Sequence, residues 1–84
     1  MKQGKKFKKE LFNFTVIFEP ATEGGFIVHV PSLPGCHTQG ETLDDAFKMA
    51  RDAIYGYIKV MKELKEDIPK ESGNSIVAKI PVKA

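Results

Sequence analysis

From Leu11 to Glu19 apolar and polar positions alternate, with Phe12, Phe14, Val16 and Phe18 on one face and Asn13, Thr15 and Glu19 on the other. A period of two with aromatic and β-branched residues predicts a half-buried strand. Pro20 to Gly25 predicts a turn. Gly25 to Val30 predicts a second strand, with Phe26, Val28 and Val30 facing inward and Ile27 and His29 pointing away. The short glycine-containing loop joins the two as a hairpin. Pro31 to Gly35, with two prolines and a glycine, predicts a compact turn, and Cys36 to Gly40 a short third strand.

At Leu43 the period changes. Leu43, Ala46, Phe47, Ala50, Ile54, Tyr57, Ile58, Met61 and Leu64 recur at helical spacing, which predicts a helix to about Lys65. Thr42 is a suitable N-cap, and Asp44 and Asp45 complement the helix dipole in the first turn. Gly56 costs ~1 kcal/mol inside a helix, which points to close packing there against the sheet. Pro69 is expected to set the helix stop by biasing Ile68 out of the helical region. Ser75 to Val82 predicts a last strand with Ile76, Ala78, Ile80 and Val82 on one face, and Pro81 marks an edge position or the end of pairing. The order is β-β-β-α-β, an α+β arrangement of three antiparallel strands with one helix on one face. A right-handed crossover would return the fourth strand parallel to the first.

Eighty-four residues suffice for one domain, expected over residues 11–84 behind a flexible basic arm over residues 1–10. No run of ~18 apolar residues spans a membrane. The apolar run after the lysines is broken by Asn13 and Thr15 and lacks a small-residue cleavage site, so it reads as a strand and not as a signal peptide. Cys36 is the only cysteine, which excludes an internal disulfide and fits a reducing, cytoplasmic compartment. Charge is split along the chain. Residues 1–9 carry five lysines and no acid, whereas the other eight basic residues face all eleven acidic ones, a net −3. An acidic body favours encounter with a basic partner.

The residues offer little catalytic chemistry. Cys36 and His37 are sequence neighbours on a strand and therefore face opposite ways, which defeats both a thiol–imidazole dyad and joint metal ligation. Helix capping accounts for Asp44 and Asp45. Glu19 and Glu23 flank the hairpin turn and Glu41 precedes the helix, but no strand carries the central acid that a two-metal nuclease needs. Gly24-Gly25 and Gly35…Gly40 lack the lysine and helix context of a phosphate loop. Phe12, Phe14, Phe18 and Phe26 share the face that seats the helix, so they read as core and not as a base-stacking platform. No catalytic residue, metal site or cofactor is expected. What remains is Val30–Thr42, an ordered polar stretch of the kind that carries binding residues. On the residues alone, a structural elbow explains it equally well.

The series Phe14-x-Val16-x-Phe18-Glu19, Gly24-Gly25-Phe26, Val28-x-Val30-Pro31-Ser32-Leu33-Pro34-Gly35-Cys36 and Thr38-Gln39-Gly40-Glu41-Thr42 resembles HicB-type antitoxins. Ala46, Ala50, Ala53-Ile54, Tyr57 and Ile68-Pro69 continue the resemblance, which covers about residues 12–82. It implies a truncated ribonuclease H-like fold without the catalytic carboxylates. It further implies a non-enzymatic protein that neutralises a small basic HicA-like toxin. Such a toxin has a double-stranded-RNA-binding-like fold and cleaves mRNA, and the antitoxin masks its active site. A homo-dimer or tetramer is also implied. On this reading the toxin-binding residues are Glu19, Glu23, Pro34, Gly35, His37, Gln39 and Glu41. Many family members add a C-terminal DNA-binding segment. With its last strand expected to run to Val82, this chain resembles a short form without one, so direct operator binding is not expected. An orphan homo-oligomeric module with another partner remains the alternative.

Overall fold

Three of the expected strands form a sheet. In the computed structural model, which describes residues 11–71, 73 and 75–84, β1 (Ile17–Pro20), β2 (Phe26–His29) and β3 (His37–Gly40) pair antiparallel in the order β1-β2-β3. The arm expected over residues 1–10 lies outside the described residues. The first ladder is shorter than the alternation from Leu11 foretold. Its partner β2 ends at His29, opposite Ile17, and beyond that point the chain bends into the Pro31–Gly35 turns. Phe14 and Val16 still pack inward, against the cluster of Val30, Leu33 and Cys36.

Those turns have a defined chemistry. Leu33 N–H donates to the Val30 carbonyl at 3.0 Å, and Cys36 N–H donates to the Leu33 carbonyl at 2.9 Å. In the second turn Pro34 occupies the position whose φ the ring presets. Gly35 follows at φ 78°, the left-handed conformation that a type II turn requires there. Leu33, only 1% exposed, plugs the core between the two turns. The stretch is therefore a core element with a polar outer surface, and its order comes from that burial.

Helix α1 (Leu43–Glu63) starts on Thr42, whose hydroxyl accepts the Asp45 N–H at 3.0 Å. It stops before Pro69 has any influence. Lys65 turns left-handed at φ 58°, its N–H donates to the Lys62 carbonyl, and Glu66 N–H donates to the Met61 carbonyl. This pair of bonds is a Schellman closure with lysine where glycine is usual.

One face of α1 covers the sheet. Val28, Ala46 and Ala50 form one buried cluster, joined by Val16, Phe18 and Phe26, and Ala53, Ile54 and Tyr57 pack on the other. Close approach occurs at Gly40 and not at Gly56. A Cβ on Gly40 would lie 2.5 Å from the Ala46 nitrogen, whereas one on Gly56 would meet nothing within 4 Å. Much of the apolar stripe is left uncovered, including Phe47 and Leu64. Four-residue strands span only ~13 Å and a 21-residue helix ~31 Å, so the helix overhangs the sheet.

Among the described residues the expected fourth strand is not formed. Ser75–Ala84 makes no ladder with any described strand. Ile76 is 90% exposed and Ile80 81%. The architecture is α+β, with one helix on a three-stranded antiparallel sheet.

Candidate protein-binding face

Strand register decides which side chains share a surface. Glu19 pairs with Ile27, and Ile27 with Gln39. Ile17 pairs with His29, and His29 with His37. Directly paired residues point to the same side, so these six side chains form two rows across one face. Phe18, Val28 and Thr38 form the row between them on the opposite side, where the helix sits. All six outer side chains are exposed, and no described element covers them. Glu19 Oε1 lies 3.3 Å from His29 Nε2. An exposed pair of this kind contributes at most ~1 kcal/mol. It orients two polar groups beside two exposed isoleucines.

The sequence-predicted residues fall into three neighbouring places. Glu19, His37 and Gln39 lie on the outer face itself. Glu23 and Glu41 join Gln39 around an open cleft of about 880 Å³ at the hairpin end, floored by Gly24, Gly25 and Ile27. Gly35 and His37 line a second cleft of about 510 Å³ against Gly56 and Tyr57 of α1. Pro34 borders it through its carbonyl, which accepts a hydrogen bond from the Tyr57 hydroxyl at 2.7 Å. His37 and Gln39 are the links between the three places. Sequence reasoning set aside Ile17, Ile27 and His29, although the same period-two alternation already assigned Ile27 and His29 to the outward side.

Electrostatics favour one sign of partner. Between residues 11 and 47 the chain carries Glu19, Glu23, Glu41, Asp44 and Asp45 and no lysine or arginine. The sheet, its hairpin end and the helix start therefore form an acidic half. Cys36 lies beneath the surface, and burial pushes its thiol pKa up, so it is held as a thiol away from the reactive thiolate. His37, next in sequence, points outward. Among the described residues no group of three or more His, Cys, Asp or Glu is placed to hold a metal ion. No described helix is long and apolar enough to cross a membrane.

Comparison with known proteins places this surface in a family context. A family model described as the HicB-like antitoxin of bacterial toxin–antitoxin systems matches residues 14–81. A UPF0150 protein of Thermoplasma acidophilum is 40% identical over 63 residues, covering 75% of this chain and 91% of that protein. Antitoxin HicB of Escherichia coli K12 is 38% identical over 56 residues, covering 67% of this chain and 41% of the antitoxin. Antitoxin HicB 1 of Photorhabdus laumondii is 39% identical over 56 residues, covering 67% of this chain and 36% of its own length. The matched region spans both ladders, the Pro31–Gly35 turns and the helix, and the chain belongs to the HicB-like antitoxins of bacterial toxin–antitoxin systems, a family of non-enzymatic regulators.

Proposed function

We propose that this chain neutralises a small basic HicA-like toxin that cleaves mRNA, by laying its outer sheet face and hairpin-end cleft over the toxin's active site. One observation carries the reading. The face bearing Glu19, Ile27, His29, His37 and Gln39 is exposed and uncovered by any described element, and it continues into Glu23 and Glu41. Exposed isoleucines with carboxylates gathered toward the hairpin end supply an apolar contact with an acidic border, the arrangement that suits a cationic protein surface. The border speeds encounter, and the apolar contact contributes the lasting attachment.

On this reading the module works in the cytoplasm as a homo-dimer or tetramer, and a fourth strand completes a truncated ribonuclease H-like sheet. Pro34 and Gly35 shape the border of the contact.

Co-expression with the small basic protein encoded beside it provides the test. Neutralisation predicts restored growth and a co-purifying complex. In that complex, Glu19→Lys with Glu41→Lys weakens association and leaves the fold intact by circular dichroism. Persistent growth arrest with no complex refutes the reading and leaves the alternative, a homo-oligomeric module of the same fold with a different partner. The exposed apolar 75–82 segment is the observation that favours that alternative.

A further inference from the structure

Among the described residues, segment 75–82 and the outer edge of β1 are each left unpaired. β1 pairs only with β2, so among the described residues its other edge presents unpaired backbone groups. Beside that edge, Phe47 of α1 stacks on Phe18 of β1 with ring centroids 4.7 Å apart, yet remains 53% exposed. Segment 75–82 alternates Ile76, Ala78, Ile80 and Val82 against Val77, Lys79 and Pro81, the pattern of a strand with one buried face. Among the described residues nothing covers its apolar side chains, at exposures of 90% for Ile76 and 81% for Ile80.

The segment departs from a fixed point. Both carboxylate oxygens of Glu71 bond to Thr15, and one also accepts the Ser32 hydroxyl at 2.8 Å. Glu71 is thereby pinned at the start of the β1 edge. Only Ser72, Gly73 and Asn74 separate it from Ser75, and Gly73 takes a left-handed φ of 85°. From Ser75 on, the chain joins no described strand.

We propose that two copies of this chain exchange segment 75–82, each laying it as a fourth strand on the β1 edge of the other. Each copy holds both a strand without an acceptor and an acceptor without a strand, and a two-fold exchange satisfies both at once. A connection of only three residues between Glu71 and Ser75 favours exchange over closure within one chain. Ten extended residues reach ~33 Å, enough to follow β1 throughout. Main-chain groups alternate sides along a strand. When Ile76, Ala78 and Ile80 bond to β1, Pro81 places its missing donor on the outer edge, where it blocks further strand addition. Their side chains then cover Phe18 and Phe47. Charge also matches, because residues 75–84 carry Lys79 and Lys83 and no acid, and the acceptor lies in the acidic half.

This extends the homo-oligomer part of the function proposed above, and it is tested on the full chain by two measurements. Native mass spectrometry reads the assembly of wild type and of the Ile76→Asp/Ile80→Asp variant. Isotope-filtered nuclear Overhauser spectra, on a sample refolded from labelled and unlabelled chains, read contacts between copies. Exchange predicts a dimer or a multiple of it, Ile76 and Ile80 methyl contacts to Phe18 and Phe47 rings across copies, and a folded monomeric variant. A variant that loses its circular dichroism signal leaves the wild-type spectra to decide. A monomeric wild type overturns both the exchange and the homo-oligomer reading. A dimer whose variant stays dimeric, or whose Ile76 and Ile80 contacts lie within one chain, overturns the exchange alone. Amides of residues 76–80 that gain protection only when the basic partner is added assign the segment to that partner and overturn the exchange.

Discussion

Glu71 holds Thr15 at two points: Oε2 accepts the backbone N–H at 2.8 Å and Oε1 accepts the side-chain hydroxyl at 2.6 Å. With the Ser32 hydroxyl also donating to Oε2, one carboxylate joins three segments: the chain beyond the helix, the approach to β1 and the Pro31–Gly35 turns.

That clamp makes stability depend on acidity. The Thr15 hydroxyl first, then the Thr15 N–H and the Ser32 hydroxyl, hold the Glu71 carboxyl below its ordinary value of 4.5. A folded-state pKa below the unfolded one adds stability that is present above the unfolded value and is lost as pH falls through the folded one. Denaturant unfolding from pH 7 to pH 3 is expected to show a steeper loss below about pH 4.5 in wild type than in Glu71→Gln. Parallel profiles would show that the clamp contributes nothing.

Tyr57→Phe removes the donor to the Pro34 carbonyl and keeps the ring. The expected cost is about 0.5–1 kcal/mol, toward the low end for a net hydrogen bond because this one is exposed. Amide exchange at Leu33 and Cys36, whose N–H groups close the two turns, should quicken more than exchange in β1.

Two glycines should respond in opposite directions to alanine. Gly40→Ala drives a methyl into the backbone of Ala46, and an overpacked contact of this kind costs about 1–3 kcal/mol. Gly56→Ala meets open space and gains helix propensity, about 0.8–1 kcal/mol of stability. Thermal unfolding of the two variants beside wild type checks both signs.

Lys65→Gly should stabilise the fold by about 1 kcal/mol, because a lysine at φ 58° bears the left-handed penalty that glycine avoids. A lower midpoint in chemical denaturation would contradict the Schellman assignment at the end of α1.

Local chemistry was legible in the sequence because it acts over a few residues. Alternation marked the first two strands and assigned Ile27 and His29 to the outward face. Thr42 marked the helix start, and Pro34-Gly35 a turn. The resemblance to HicB-type antitoxins rested in part on the same turn and cap residues, Pro34, Gly35 and Thr42. The end of the helix near Lys65 was legible, but its cause was assigned to Pro69 because a left-handed lysine has no sequence signature, whereas proline has one.

Relations between elements waited for the tertiary structure. Whether Gly40 or Gly56 approaches the other layer depends on where the helix crosses the sheet, which neither residue encodes by itself. The candidate face depends on register, since only strand pairing aligns Glu19 with Ile27 and Gln39. By itself the sequence determined that Ser75–Val82 has one apolar face and is competent to be a strand. Whether it pairs within its own chain was decided in three dimensions, because a strand is completed by the edge it meets, and among the described residues the outer edge of β1 is left open.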